Sequence, residues 1–265
     1  MPGGTPKNAA AADSGGYTAI ASTTADQFGD GKQYTVSLLT AWGMEPGGLS
    51  LQVSGNGIDE IIPINTKDII PYRGPEVFVG DFTGDGITDI FVKIPTESAD
   101  GLSPLLGYVC TYMDGQLKKI FSSDEIDYSY TVTHEDNYMT KIYSHKLDQS
   151  FYGDNSGTYK EKAYAPIYED SEMAGRPIYD EQGRAQKDIP HYDVAIVQDM
   201  SVFNEATNST LARLEGTGEN YGLCVTQTIW GTNIRDYVGD ILTYLKWDDA
   251  SGHFVVNGQM YHSLH

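Results

Sequence analysis

The stretch Asp81-Phe-Thr-Gly-Asp-Gly-Ile-Thr-Asp89 carries the chain's clearest capacity for chemistry. Carboxylates stand at its positions 1, 5 and 9, and the Thr83 hydroxyl stands at position 3. Gly84 and Gly86 free the backbone to turn these acids toward one point. Three like charges gathered so closely repel one another unless a cation lies among them. Calcium suits such a set, because it takes about six to eight oxygens in flexible geometry, including a backbone carbonyl, here that of Ile87. An EF-hand would place a bidentate Glu at position 12, where this chain has Val92. The expected metal ligands are therefore Asp81, Thr83, Asp85, Ile87 and Asp89, and the expected cofactor is calcium. The competing reading is an acidic hairpin turn that holds no metal.

Other chemistry is sparse. The six histidines, His134, His145, His191, His253, His262 and His265, are scattered and form no zinc-type spacing. No nucleophile elbow, phosphate loop or dinucleotide fingerprint occurs. Choosing a glycosidase pair such as Asp124-Glu125 or Asp248-Asp249 from 37 acids would be arbitrary. Cys110 and Cys224 fall at apolar strand positions and read as two buried thiols. The alternative is a disulfide pinning two halves together, in an oxidising compartment. Trp42, Trp230 and Trp247 read as core residues, with a sugar-stacking platform as the alternative.

The elements that must position the acidic loop are strands. Val77-Phe-Val79 precedes it and Ile90-Phe-Val92 follows it, short β-branched and aromatic runs bounded by turn residues. With 29 glycines and 19 tyrosines, the composition suits a turn-rich β protein. A formal charge of −20 excludes the basic footprint that nucleic-acid binding requires, and excludes anchoring on anionic lipid by charge. No apolar run reaches the length of a membrane span, about 18 residues.

The strand–DxTGDGxxD–strand pattern resembles the FG-GAP/VCBS repeat of integrin-type propellers and of many secreted bacterial proteins. Residues 214–218 (Leu-Glu-Gly-Thr-Gly), 226–231 (Thr-Gln-Thr-Ile-Trp-Gly) and 236–248 resemble the C-terminal half of VCBS-repeat proteins secreted by Gram-positive bacteria. The resemblance implies an exported, non-enzymatic calcium-binding protein of the cell envelope with an adhesion, assembly or scaffold role. Its partner would be a protein or glycan at the cell surface, and a lipid anchor is compatible with it. A carbohydrate-binding module and an exported hydrolase are the alternatives.

A shift of 132 residues carries Gly84 onto Gly216, Gly107 onto Gly239, Thr111 onto Thr243 and Tyr112 onto Tyr244. In the second copy Arg213, Glu215, Thr217 and Tyr221 replace Asp81, Thr83, Asp85 and Asp89, so only the first loop is expected to hold calcium. The fold expected is all-β and β-propeller-like with this degenerate duplication; two packed β lobes are the alternative. The expected organisation is a flexible tether over 1–29, a first β half over 30–150 with the calcium loop, and a second over 151–265 with the degenerate loop. Residues 1–16 contain no signal-peptide hydrophobic region, and the expectation is a secreted protein whose signal has been removed. Tyr128–Val132 and Tyr138–Tyr143 read as a hairpin, and Tyr192–Val197 reads as a strand re-entering the core.

Overall fold

The computed structural model describes residues 16–40, 48–65, 74–96, 104–126, 129–159, 177–187, 195–205, 209–211, 220–231 and 237–263. Within them the protein is all-β. Four antiparallel sheets hold the strands, none closed into a barrel, with single helical turns at Ser123–Glu125 and Ser156–Tyr159.

The first sheet is a meander of β1 (Thr18–Ala25), β2 (Tyr34–Thr40), β3 (Leu49–Gly55) and β4 (Ile58–Asn65), paired in chain order. The second repeats that plan with β5 (Glu76–Gly80), β6 (Asp89–Pro95), β7 (Leu105–Met113) and β8 (Gln116–Ser122). The same device closes the last hairpin of each. Asn56-Gly57 and Asp114-Gly115 have φ of 50° and 90°, and 57° and 75°, the doubly left-handed turn that matches strand twist. Val36, Leu38, Leu51 and Val53 of the first sheet form one buried cluster with Ile90, Val92, Ile94, Tyr108 and Cys110 of the second. Burying each such aliphatic side chain contributes about 1.5–3 kcal/mol. That core is what holds the ends of β5 and β6, and so the acidic loop, in place.

The third sheet has the order β11 (Gln149–Asp154), β10 (Met139–Ser144), β9 (Tyr130–Glu135). The β9–β10 hairpin is the one expected from sequence. The fourth has the order β13 (Ser209–Leu211), β12 (Ala195–Asn204), β14 (Tyr221–Trp230), β15 (Tyr237–Asp248), β16 (His253–Ser263).

The chain divides into two compact units that interleave along the sequence. One comprises residues 1–125, 200–224 and 245–255, the other 126–199, 225–244 and 256–265. Strands β12, β14, β15 and β16 each supply residues to both. The expected sequential halves, 30–150 and 151–265, are thus replaced by an interleaved division. The tether expected over 1–29 also needs correction: Thr18–Ala25 pairs with β2 over its whole length, and Gln27 is buried. Small residues of alternating exposure make β1 an edge strand, a pattern that composition alone reads as linker.

The 132-residue shift carries the first residues of β6 and β7, Asp89 and Leu105, onto the first residues of β14 and β15, Tyr221 and Tyr237. Beside β14, however, stands β12 rather than β13, so a strand–loop–strand hairpin like β5–β6 is not reproduced there. Arg213, Glu215, Gly216 and Thr217 lie outside the described residues.

Candidate functional site

The loop 81–89 joins β5 to β6 and is built from its own acids. Asp81 Oδ1 accepts the Gly84 N–H at 2.6 Å and Oδ2 the Gly86 N–H at 2.8 Å. Asp85 Oδ1 accepts the Ile87 N–H at 2.7 Å. Gly84 and Gly86 have φ of 77° and 80°, the left-handed backbone that their lack of a Cβ permits. Asp89 is the anchor: its Oδ2 accepts the Phe82 N–H at 2.8 Å, the Thr83 N–H at 2.9 Å and the Thr83 hydroxyl at 3.1 Å. Asp81 and Thr83 are buried, Asp85 is exposed, and Ile87 is half-buried.

The surroundings hold the loop from two directions. Tyr221 donates its N–H to the Asp81 carbonyl at 2.9 Å, and Asn220 makes a parallel bridge with Asp81. Phe82 packs between Phe91 and Tyr221, with ring centroids 6.1 and 6.0 Å away. From the other side, the buried Gln27 donates Nε2–H to the Thr88 carbonyl, and the Thr88 hydroxyl donates to the Asp26 carbonyl at 3.0 Å.

The electrostatics single out Asp89. Its side chain is 0% exposed, and its Oδ1 makes no hydrogen bond of ordinary geometry, although the Thr111 hydroxyl, itself without another bond, lies close to the carboxylate. Burial pushes its pKa up to about 6, and the Thr111 hydroxyl, the two N–H groups and the Thr83 hydroxyl offset only part of that cost. An unpartnered carboxylate oxygen in such a place is relieved by a proton or by a cation.

The expected ligands fit a hard cation in kind, being oxygen donors on one turn, and each carboxylate oxygen keeps acceptor capacity beyond its N–H bond. In this conformation the carboxylates face the N–H groups of their own loop. Among the described residues no three of His, Cys, Asp and Glu stand close enough together to hold a metal.

Sequence reasoning missed a second loop of the same construction. Asp26-Gln-Phe-Gly-Asp-Gly-Lys32 joins β1 to β2, and a shift of 55 residues carries Asp26, Gly29, Asp30 and Gly31 onto Asp81, Gly84, Asp85 and Gly86. Asp26 accepts the Asp30 and Gly31 N–H groups at 3.0 and 2.8 Å, and Asp30 Oδ1 accepts the Lys32 N–H at 3.0 Å. Gly29 and Gly31 have φ of 65° and 77°. At three positions that bear on a cation the loops part, the first being Phe28 in place of Thr83. Lys32 replaces Ile87, and its ammonium pairs with Asp30 at 2.8 Å, an exposed ion pair that lowers the pKa of Asp30. Tyr34 replaces Asp89; its ring is buried, and its hydroxyl donates to Asp30 at 3.0 Å. The legible signal was the hexad Asp-x-x-Gly-Asp-Gly, written twice within 61 residues.

The remaining candidates are structural. Cys110 and Cys224 are both buried and not joined by a disulfide; burial pushes the Cys110 thiol up to about 12, far from reactivity. Trp230 is buried, and Trp247 donates Nε1–H to Asp249 at 2.9 Å while edging onto Phe254. Trp42, His191 and His265 lie outside the described residues. His134 contacts the Tyr179 and Thr140 hydroxyls, and His145 the Thr131 hydroxyl. Among the described residues no helix is long and apolar enough to cross a membrane.

The chain is similar to an uncharacterized Bacillus subtilis protein, YybI, with 27% identity over 176 residues. The similarity covers 66% of this chain and 58% of that protein, so the chain spans little more than half the length of its relative. No family model matches the chain, and no solved structure matches it.

Proposed function

We propose that this chain is a non-enzymatic calcium-binding protein of the extracellular space or cell envelope, serving adhesion, assembly or scaffolding. In this reading Asp81, Thr83, Asp85, the Ile87 carbonyl and Asp89 hold one calcium that stiffens the β5–β6 turn. The observation that carries it is Asp89 Oδ1, a buried acceptor with no partner at the root of an all-oxygen turn. Binding in this reading requires Asp81 and Asp85 to turn away from the N–H groups they now accept. With a dissociation constant of about 10⁻⁴ M, usual for extracellular modules, about 1 mM calcium stabilises the fold by roughly 1.4 kcal/mol. Resting cytosolic calcium would leave such a site unfilled, which is why the reading places the protein outside the cell.

The kinship of the loop with the FG-GAP/VCBS repeat, and the propeller-like arrangement that kinship implies, belong to the same proposal. Two successive four-stranded meanders, each with an Asp-x-x-Gly-Asp-Gly turn after its first strand, support it. Their 55-residue step is close to the repeat of a propeller blade, about 40–50 residues. Isothermal titration of calcium into chelator-treated protein tests the reading. The expected result is one site in the wild type, lost in Asp85→Ala and Asp89→Asn. Absence of binding by the wild type overturns it.

A further inference from the structure

The third sheet has two unlike faces. Inward, Tyr130, Val132, Ile142 and Phe151 pack in a core with Ile229, Val238 and Ile241. Outward, strand alternation places Thr131 and Thr133 of β9, Lys141 and Tyr143 of β10, and Ser150 and Tyr152 of β11. The register sets Thr133, Lys141 and Tyr152 in one row, and Thr131, Tyr143 and Ser150 in the next. Tyr143 and Tyr152 are therefore diagonal neighbours across one strand pair, about 7–8 Å apart.

None of these outward side chains is buried, and Tyr152 is 53% exposed. Tyr143 is held in place: its hydroxyl donates to Asp148 at 2.5 Å, and its ring meets His145 edge-on at 4.8 Å. A fixed ring beside a free one, bordered by hydroxyls and one ammonium, offers flat apolar surface together with donors and acceptors.

We propose that this outward face of the β9–β10–β11 sheet binds neutral polysaccharide. Sugar C–H faces would lie on the Tyr143 and Tyr152 rings, and sugar hydroxyls would bond to Thr131, Thr133, Ser150 and Lys141. The charge pattern argues for a neutral ligand. The face carries one Lys, Lys141, and its third row sets Glu135 and Asp154 on either side of Met139, so its acids outnumber its cation, and a chain of net charge −20 repels polyanions. A protein partner would be expected to meet a contiguous apolar centre, and Met139 is the one aliphatic residue in the three rows. The proposal does not depend on calcium.

Co-sedimentation with insoluble chitin, cellulose and xylan, in chelator, tests it against covalently cross-linked carboxymethyl-cellulose as polyanion. The wild type should be retained on at least one neutral polysaccharide, and Tyr152→Ala should weaken retention by about tenfold, the scale of an aromatic hot spot. Tyr143→Phe keeps the ring and should retain binding even if Tyr143→Ala folds poorly. His253→Ala, an exposed change on β16, should leave binding unaltered. No retention on any neutral polysaccharide, equal retention on the cross-linked carboxymethyl-cellulose, or retention indifferent to Tyr152→Ala would overturn the proposal.

Discussion

Loops 26–34 and 81–89 turn their backbones alike, each around an aspartate that gathers the N–H groups of a Gly-Asp-Gly corner, yet they neutralise their acids by opposite means. The first carries a cation of its own, Lys32, which pairs with Asp30 at the surface, and it closes on the buried ring of Tyr34. The second has Ile87 in place of the lysine and the buried carboxylate of Asp89 in place of the tyrosine. Shared geometry reflects the hexad; different electrostatics reflect the changes outside it and at its third position, chiefly Phe28 for Thr83, Lys32 for Ile87 and Tyr34 for Asp89. Each loop keeps a buried side-chain oxygen without a partner, Gln27 Oε1 in the first and Asp89 Oδ1 in the second, but only in the second does that oxygen belong to a carboxylate. Function is therefore expected at the second loop, and plain connection at the first.

The comparison breaks most readily at its anchors. Asp89→Ala strips three donors of their acceptor in a buried place and should cost about 3 kcal/mol or more in urea unfolding. Tyr34→Phe, which removes a hydroxyl at the surface end of its loop, should shift the same curve far less. Losses of equal size would mean that the two loops are held in the same way.

The glycines sharpen the comparison next. A methyl on Gly84 would meet Asn220 Nδ2 at 3.2 Å, whereas one on Gly29 finds the Gly86 carbonyl at an easy 4.0 Å. Both sites also carry the left-handed strain of about 1–2 kcal/mol. Gly84→Ala should therefore cost about 2 kcal/mol and Gly29→Ala about 1 kcal/mol by the same measurement.

A pH series separates the loops in another way. The folded-state pKa of Asp89, about 6, lies above the ordinary carboxylate value of 3.8, so the folded protein holds the proton more tightly than the unfolded chain. That contribution is fully present below about pH 4 and is lost as pH rises through about 6, at least about 1 kcal/mol in all. Chelated wild type should lose it across that window, and Asp89→Asn should not. The stabilisation by calcium should run the other way, larger at about pH 7.5 than at about pH 5, because the metal requires the ionised acid. Asp30, whose pKa is lowered by Lys32, contributes in the opposite sense: its stability is present above its unfolded pKa and fades as pH falls below about 4. The smallest effect belongs to Lys32→Met, an exposed pair in which salt should erase most of any difference in melting temperature.

Much of this was legible in the chain. The apolar runs on either side of Asp81–Asp89 fix β5 and β6, and the paired turn residues at Asp114-Gly115 fix the hairpin of β7 and β8. The role of Asp89 was only half legible: its spacing marked it as a ligand, but its burial comes with tertiary contacts the spacing does not show, among them the ring of Tyr221, from a distant part of the chain, against Phe82. The strand β1 was hidden because Thr-Ala-Ile-Ala-Ser-Thr-Thr-Ala lacks the large residues that announce a strand, and it is held by pairing with β2 rather than by its own core residues. The 55-residue repeat was obscured by Phe28 and Tyr34, which stand in place of Thr83 and Asp89 and erase two of the expected ligands while leaving the turn intact. The interleaving of the two units was beyond local pattern, since it arises from four strands long enough to serve both.

The central claim, that loop 81–89 is a calcium site and loop 26–34 is not, is tested most directly by a thermal melt in about 1 mM calcium against excess chelator. The melt is run on the wild type, on Asp85→Ala and on the matching Asp30→Ala. The account predicts a rise of a few degrees with calcium in the wild type and in Asp30→Ala, and none in Asp85→Ala. A wild type that melts at the same temperature with and without calcium would contradict it, as would a calcium shift that survives Asp85→Ala.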